Sequence, residues 1–153
     1  MLIRRMTLED IPAVVEIENA CFSLPWSEKS FEDSLTREDT IFLVCETVGD
    51  AGKSVALDCV AGYMGLYLSF DEASVTNVAV SPDFQKKGYG EALVTAAKDA
   101  AKAAGAESIF LEVRQSNEPA RSLYKKLGFE ELGIRKKFYE HPVEDAIIMK
   151  VGI

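Results

Sequence analysis

The chain has 153 residues, 48% of them hydrophobic, and a formal net charge of −8 at pH 7. Its mean hydropathy is +0.01, which suits a soluble globular domain with a substantial core, and no run approaches the roughly 18 apolar residues that span a bilayer. The acidic balance argues against nucleic acid as a direct partner, and three scattered cysteines (Cys21, Cys45, Cys59) with a lone His141 argue against a disulfide framework or a metal site. The opening Met1-Leu2-Ile3-Arg4-Arg5 turns polar at once, so no secretory leader is expected and the cytoplasm is the expected compartment. Charge is uneven: residues 1–80 carry 5 basic and 14 acidic side chains, residues 81–153 carry 12 and 11. A cationic amine would be drawn to the first half.

Ile3 to Met6 reads as a first strand. Thr7-Leu8-Glu9-Asp10 resembles a capping box, Pro12 is tolerated in a first helical turn, and Ile11, Val14, Val15, Ile17, Ala20 and Cys21 form a helical apolar stripe. Pro25 breaks that helix within Phe22-Ser23-Leu24-Pro25-Trp26, and Ser27 is placed to cap a second helix carrying Phe31 and Leu35. Strands follow at Ile41 to Val48, Val60 to Leu68 and Glu72 to Val80. Between the first two, Gly49-Asp50-Ala51-Gly52 reads as a turn, and the stretch from Gly49 to Asp58 exceeds a minimal hairpin. A helix from about Gly90 to Ala104 ends at Gly105, Ser108 to Val113 is rich in β-formers, and Asn117 to Leu127 is helical. Gly128-Phe129 opens another strand, and Ala146 to Val151 is the last. Early helices, a hairpin-rich middle and two helices framing a strand predict one mixed α/β (α+β) domain over residues 1–153.

The segment after Val78-Ala79-Val80 carries chemistry. Gln85-Lys86-Lys87-Gly88-Tyr89-Gly90-Glu91 joins a strand to a helix, with two glycines flanking one residue at the helix start. Glycine admits positive φ and lets main-chain amides approach a ligand, and a helix N-terminus attracts anions. Lys86 and Lys87 add charge, so the loop reads as a phosphate or pyrophosphate cradle. Neither a Gly-x4-Gly-Lys-Ser/Thr loop nor a Gly-x-Gly-x-x-Gly fingerprint is present. Further on, Asn117-Glu118-Pro119-Ala120-Arg121-Ser122-Leu123-Tyr124 leads to Gly128-Phe129; Asn117 suits a helix cap and Gly128 a left-handed helix end.

The Gln-x-x-Gly-x-Gly loop followed by Asn-x-x-Ala-x-x-Leu-Tyr-x-x-x-Gly-Phe resembles the GNAT N-acetyltransferase superfamily, and the resemblance covers essentially the whole chain. Phe22-Ser23-Leu24-Pro25-Trp26-Ser27, Thr76-Asn77-Val78-Ala79-Val80, Leu111-Glu112-Val113-Arg114, Arg135-Lys136-Lys137-Phe138-Tyr139 and Glu144-Asp145-Ala146-Ile147-Ile148-Met149 narrow it to protein N-terminal acetyltransferases that modify a ribosomal-protein alanine. The resemblance implies a mostly antiparallel mixed sheet of about seven strands flanked by four helices. It implies acetyl-CoA as co-substrate, with no metal and no membrane, and a monomer or weak dimer. The backbone of Val78, Ala79 and Val80 would pair with the pantetheine arm, the amides of Lys86 through Glu91 would hold the pyrophosphate in a cofactor loop that Gln85 opens, and Asn117 would lie near the thioester. Glu112 aligns with the general base and Tyr124 with the general acid; Trp26 and Tyr139 fall in loops that shape the peptide entrance, although Trp26 suits packing as readily.

The attacking amine must be neutral. An α-amine has pKa near 7.8 and a lysine near 10.4, a difference of about 2.6 units or roughly 3.5 kcal/mol. One carboxylate therefore manages a protein N-terminus at neutral pH more easily than a lysine, and a tyrosine stays protonated for the acid role. Two other readings stand beside this: a lysine or small-amine acetyltransferase, and a non-catalytic CoA-binding scaffold. Lys86 and Lys87 stand where the family often has arginine, and Phe138 where many relatives have a first tyrosine.

Overall fold

The computed structural model describes residues 1–47 and 59–153. The expected turn and long stretch from Gly49 to Asp58 lie outside the described residues. The elements are β1 (Leu2–Arg5), a 3-10 turn (Leu8–Asp10), α1 (Ile11–Cys21), α2 (Glu28–Leu35), β2 (Thr40–Glu46), β3 (Val60–Ser69) and β4 (Glu72–Val80). A second 3-10 turn (Pro82–Phe84) leads to α3 (Tyr89–Ala103), β5 (Ser108–Arg114), α4 (Glu118–Lys126), β6 (Glu130–Tyr139) and β7 (Glu144–Gly152). The seven strands form one sheet in the order β1-β2-β3-β4-β5-β7-β6. Among the described residues only the central β4–β5 pairing is parallel; the others are antiparallel.

Alternation along β2 shows how the layers form. Ile41, Leu43 and Cys45 pack with Leu93, Val94, Ala97 and Ala101 of α3 on one face. Phe42 and Val44 pack with Ile11, Val14 and Ile17 of α1 and Phe31 of α2 on the other. A strand whose two faces are both apolar belongs in the middle of a three-layer structure. The helix ends follow local chemistry: Ser27 Oγ accepts from the Ser30 amide at 3.2 Å, and Asn117 Oδ1 from the Ala120 amide at 3.3 Å. At the first turn, Asp10 accepts from the Thr7 amide at 2.8 Å and from Arg4 of β1 through both carboxylate oxygens, at 2.7 and 2.8 Å.

Two features of the sheet create a cleft. The β3–β4 register shifts by one residue, so Gly65 faces Asn77 while Leu66 faces Val75, and Thr76 is the extra residue of a bulge. Gly65 has to be glycine there: a Cβ would lie 2.4 Å from the Phe42 ring and 2.5 Å from Thr76 Oγ1. Beyond the bulge, β4 leaves its other neighbour. Pairing with β5 covers only Glu72–Ser108, Ala73–Ile109 and Ser74–Phe110. From Val75 and Leu111 onward the two central strands diverge, and the space between them is the site.

Candidate active site

The diverging strands open a cleft of about 660 Å³. Glu112 and Tyr124 both line it, together with Asn117, Val78, Trp26 and Tyr139. Six of the residues singled out from sequence are therefore brought to one place by β4, β5, α4, the α1–α2 loop and the end of β6.

Glu112 lies on β5 directly opposite Ile148 of β7. Its neighbours Leu111 and Val113 are buried on the α3 side, so the two-residue period of the strand turns Glu112 to the other face. Arg135 Nη2 is 3.8 Å from Glu112 Oε1. Tyr124 projects from α4 and is 7% exposed, its ring packed on Phe129 at 5.6 Å between centroids. Burial first, then the neighbouring Tyr139, pushes the Tyr124 hydroxyl up to about 12. For Tyr139 burial again leads, followed by the nearby Glu112 carboxylate, and its hydroxyl also rises to about 12. Both phenols stay protonated across the physiological range.

The two sides of the cleft are each held by a charged side chain. Arg114 lies 4.4 Å over the Tyr139 ring, donates to the carbonyls of Glu140 and Pro142 at 3.1 and 3.0 Å, and contacts Glu144 at 3.3 Å. It fixes the turn between β6 and β7. Opposite, Glu18 of α1 accepts from the Trp26 amide at 3.0 Å, while the Trp26 ring rests on Phe31 and Phe42 at 5.3 and 6.2 Å. Trp26 thus packs against the core and presents one edge to the cleft. Arg114 was detectable, since it follows Glu112 by two and must share its face. Glu18 had a signal too: it interrupts the apolar stripe one turn after Val14, where a charge needs a reason.

Ala79, Val80 and the Gln85–Glu91 loop do not line this cleft; they continue from its end, where β4 runs out. Ala79 is buried against α1 and α2. The Val80 carbonyl accepts from the Gln85 side chain at 3.1 Å and from the Cys21 thiol at 3.5 Å. Gln85 therefore ties the loop back to β4. Lys87 folds back also, its Nζ donating to the Asp83 carbonyl at 3.2 Å. Gly88 has φ 88° and ψ 1° at the N-cap of α3, with no side chain capping the helix. The first amides of a helix have no partner within the helix itself, and here no side chain caps them. A Cβ at Gly90 would lie 3.3 Å from Leu123 Cδ2 of α4, a tight contact. Glu91, in the same turn, is paired with Lys126 at 2.8 Å. Among the described residues no group of three or more His, Cys, Asp or Glu side chains is gathered for a metal, and no helix is long and apolar enough to cross a membrane.

A parallel β4–β5 pair that splays, an uncapped left-handed glycine turn beyond it and a carboxylate and a tyrosine lining one cleft form a recognisable combination. Residues 11–129 match the model of the Acetyltransferase (GNAT) family. The chain belongs to the GNAT acetyltransferase family. A Bacillus subtilis (strain 168) protein provisionally named for [ribosomal protein bS18]-alanine N-acetylation is 40% identical over 152 residues, covering 99% of this chain and 95% of the relative. The [ribosomal protein bS18]-alanine N-acetyltransferase of Salmonella typhimurium is 35% identical over 150 residues, covering 97% and 95%. The crystal structure of the ribosomal-protein-S18-alanine N-acetyltransferase from Escherichia coli superposes with a TM-score of 0.83 at 35% identity, covering 99% of this chain and 93% of that one. The seven-stranded mixed sheet with four helices expected from sequence is the GNAT architecture.

Proposed function

We propose that the protein transfers the acetyl group of acetyl-CoA to the α-amine of a protein N-terminus, and that the terminal alanine of a small-subunit ribosomal protein is its substrate. One observation carries this reading: Glu112 and Tyr124, from different elements, face the same cleft between strands that part from Val75 and Leu111 onward.

The residues present fit acetyl-CoA. The amides from Lys86 to Glu91, with Gly88 in the left-handed region, would hold the diphosphate. The β4 backbone beyond Ser74, free of β5, would pair with the pantetheine amides as an added strand. Asn117, which caps α4, would lie beside the thioester end. The co-substrate supplies an acyl carbon attached to a good leaving sulfur. Glu112 then accepts the proton of the incoming amine, directly or through water. Tyr124, buried and protonated, donates a hydrogen bond to the departing sulfur. Trp26 and Tyr139 flank the path along which the peptide enters. Preference for an α-amine follows from its lower pKa, which a single carboxylate can meet at neutral pH.

The relatives named above point to the same substrate, and the cleft is open enough to admit a chain end. Glu112→Gln and Tyr124→Phe are each expected to lower kcat about 10²–10⁴-fold on an alanine-ended peptide, with CoA binding by calorimetry unchanged. Wild-type turnover in both variants would remove their roles. Equal activity on peptides with free and blocked N-termini would remove the α-amine claim, and acetylation of no amine at all would leave a CoA-binding scaffold.

A further inference from the structure

Of the cleft carboxylates that the reaction above does not use, Glu18 and Glu140, Glu18 is the buried one, and its surroundings are unusual. The residue is 2% exposed, and Asn77, on β4 opposite it, is 9% exposed. Glu18 Oε1 holds the Trp26 amide, but Oε2 is buried without a hydrogen-bond partner, and so is Asn77 Nδ2. The Asn77 amide lies near enough to draw the Glu18 pKa down, yet no hydrogen bond closes between them; burial is the larger influence and keeps that pKa raised. Asn77 is oriented by its neighbour: Thr76 Oγ1 donates to Asn77 Oδ1 at 2.8 Å, which leaves the amide nitrogen as the free end. Both residues line the cleft on the α1 side of the sheet, opposite the face on which α3 packs. An unpaired acceptor and an unpaired donor, each fixed and desolvated, are costly unless something occupies them.

We propose that Glu18 and Asn77 are positioning residues for the first residue of the protein substrate, with Glu18 Oε2 accepting from its α-amine and Asn77 Nδ2 donating to its carbonyl. The inference rests on the N-terminal acetyltransferase reading above. A chain terminus offers that donor and that acceptor on adjacent atoms, whereas a lysine side chain offers only the donor. A desolvated carboxylate also selects a basic group over the anionic co-substrate. The same Glu18 anchors the loop bearing Trp26, so one side chain sets both the entrance wall and the terminus that passes it.

Glu18→Gln keeps an acceptor for the Trp26 amide and removes the charge facing the amine. Steady-state kinetics on an alanine-ended peptide should show KM for the peptide rising about 10- to 100-fold, the scale of a hydrogen bond to a charged group, with KM for acetyl-CoA unchanged and no fall in melting temperature. The wild-type protein loaded with CoA should bind the peptide better than its desamino analogue, and Glu18→Gln should erase that difference. Wild-type peptide KM and retained discrimination in Glu18→Gln would overturn the proposal and make Glu18 a loop anchor only. Asn77→Ala, which touches no contact of the loop, is the second variant should Glu18→Gln fail to fold. A raised peptide KM supports the proposal, and an unchanged one overturns it. If the wild-type protein acetylates no peptide, the parent reading fails; if it does and both variants match it, this inference alone fails.

Discussion

Lys86 and Gly88 both carry positive φ, 60° and 88°, within three residues of the start of α3. Nothing lies within 4 Å of a Cβ built on Gly88, so a side chain there would meet no neighbour and only the backbone would object. Gly88→Ala should therefore destabilise the loop by about 1–2 kcal/mol without disturbing the core. Calorimetry should find CoA affinity down by about tenfold, and an unaltered affinity would detach the diphosphate from this turn. Gly88 was legible as a glycine that a left-handed turn needs, Asn117 and Tyr124 as residues of one motif, and Glu112 as part of the strand stretch before it. What escaped were groups whose meaning is tertiary. Asn77 looks like any polar residue in a strand until the Thr76 bulge turns it toward α1, and the closeness of Gly90 to Leu123 of α4 has no signal in the loop's own sequence.

At the scale of elements, β1 and α1 are joined through Asp10, whose side chain is nearly buried and bidentate with Arg4. Burial alone would raise the Asp10 pKa, but the Arg4 guanidinium and the Thr7 amide outweigh it and hold it below 3.8. A depressed carboxylate stabilises the fold above its unfolded pKa and ceases to do so as pH falls through the folded one. Asp10→Asn should cost about 2–3 kcal/mol near pH 7 in urea unfolding, with the gap to wild type closing below pH 3.8. A gap that persists at low pH would assign the effect to packing. Glu18 has the opposite sign: its raised pKa means that ionising it costs stability as pH rises past 4.5. Elements with an apolar period, such as α1, β2 and α3, were legible because each buries a stripe or a face. β6 was read only at its start, because Glu130–Tyr139 is an exposed edge strand and its Glu-Glu-Leu-Gly-Ile-Arg-Lys-Lys run has no buried face to reveal a period.

The whole molecule turns on the three residue pairs that join β4 to β5. The order of strands was not written in any local pattern, and neither was their divergence; the resemblance to a family supplied the mixed sheet of about seven strands, while a register shift at Gly65 and the loss of pairing after Ser74 are long-range facts. If the pantetheine arm completes the gap as an added strand, CoA should slow hydrogen exchange of amides between Val75 and Val80 as well as in the loop after Gln85. At 100 times its dissociation constant it should stabilise the protein by about 2.7 kcal/mol. Protection confined to the loop would show that the arm does not pair with β4. A few more rungs between the two middle strands would make a firmer protein and seal the slot where the amine and the acyl group meet. Robustness and turnover therefore pull this junction in opposite directions, and variants selected only for heat resistance should be watched for a seam that has zipped shut.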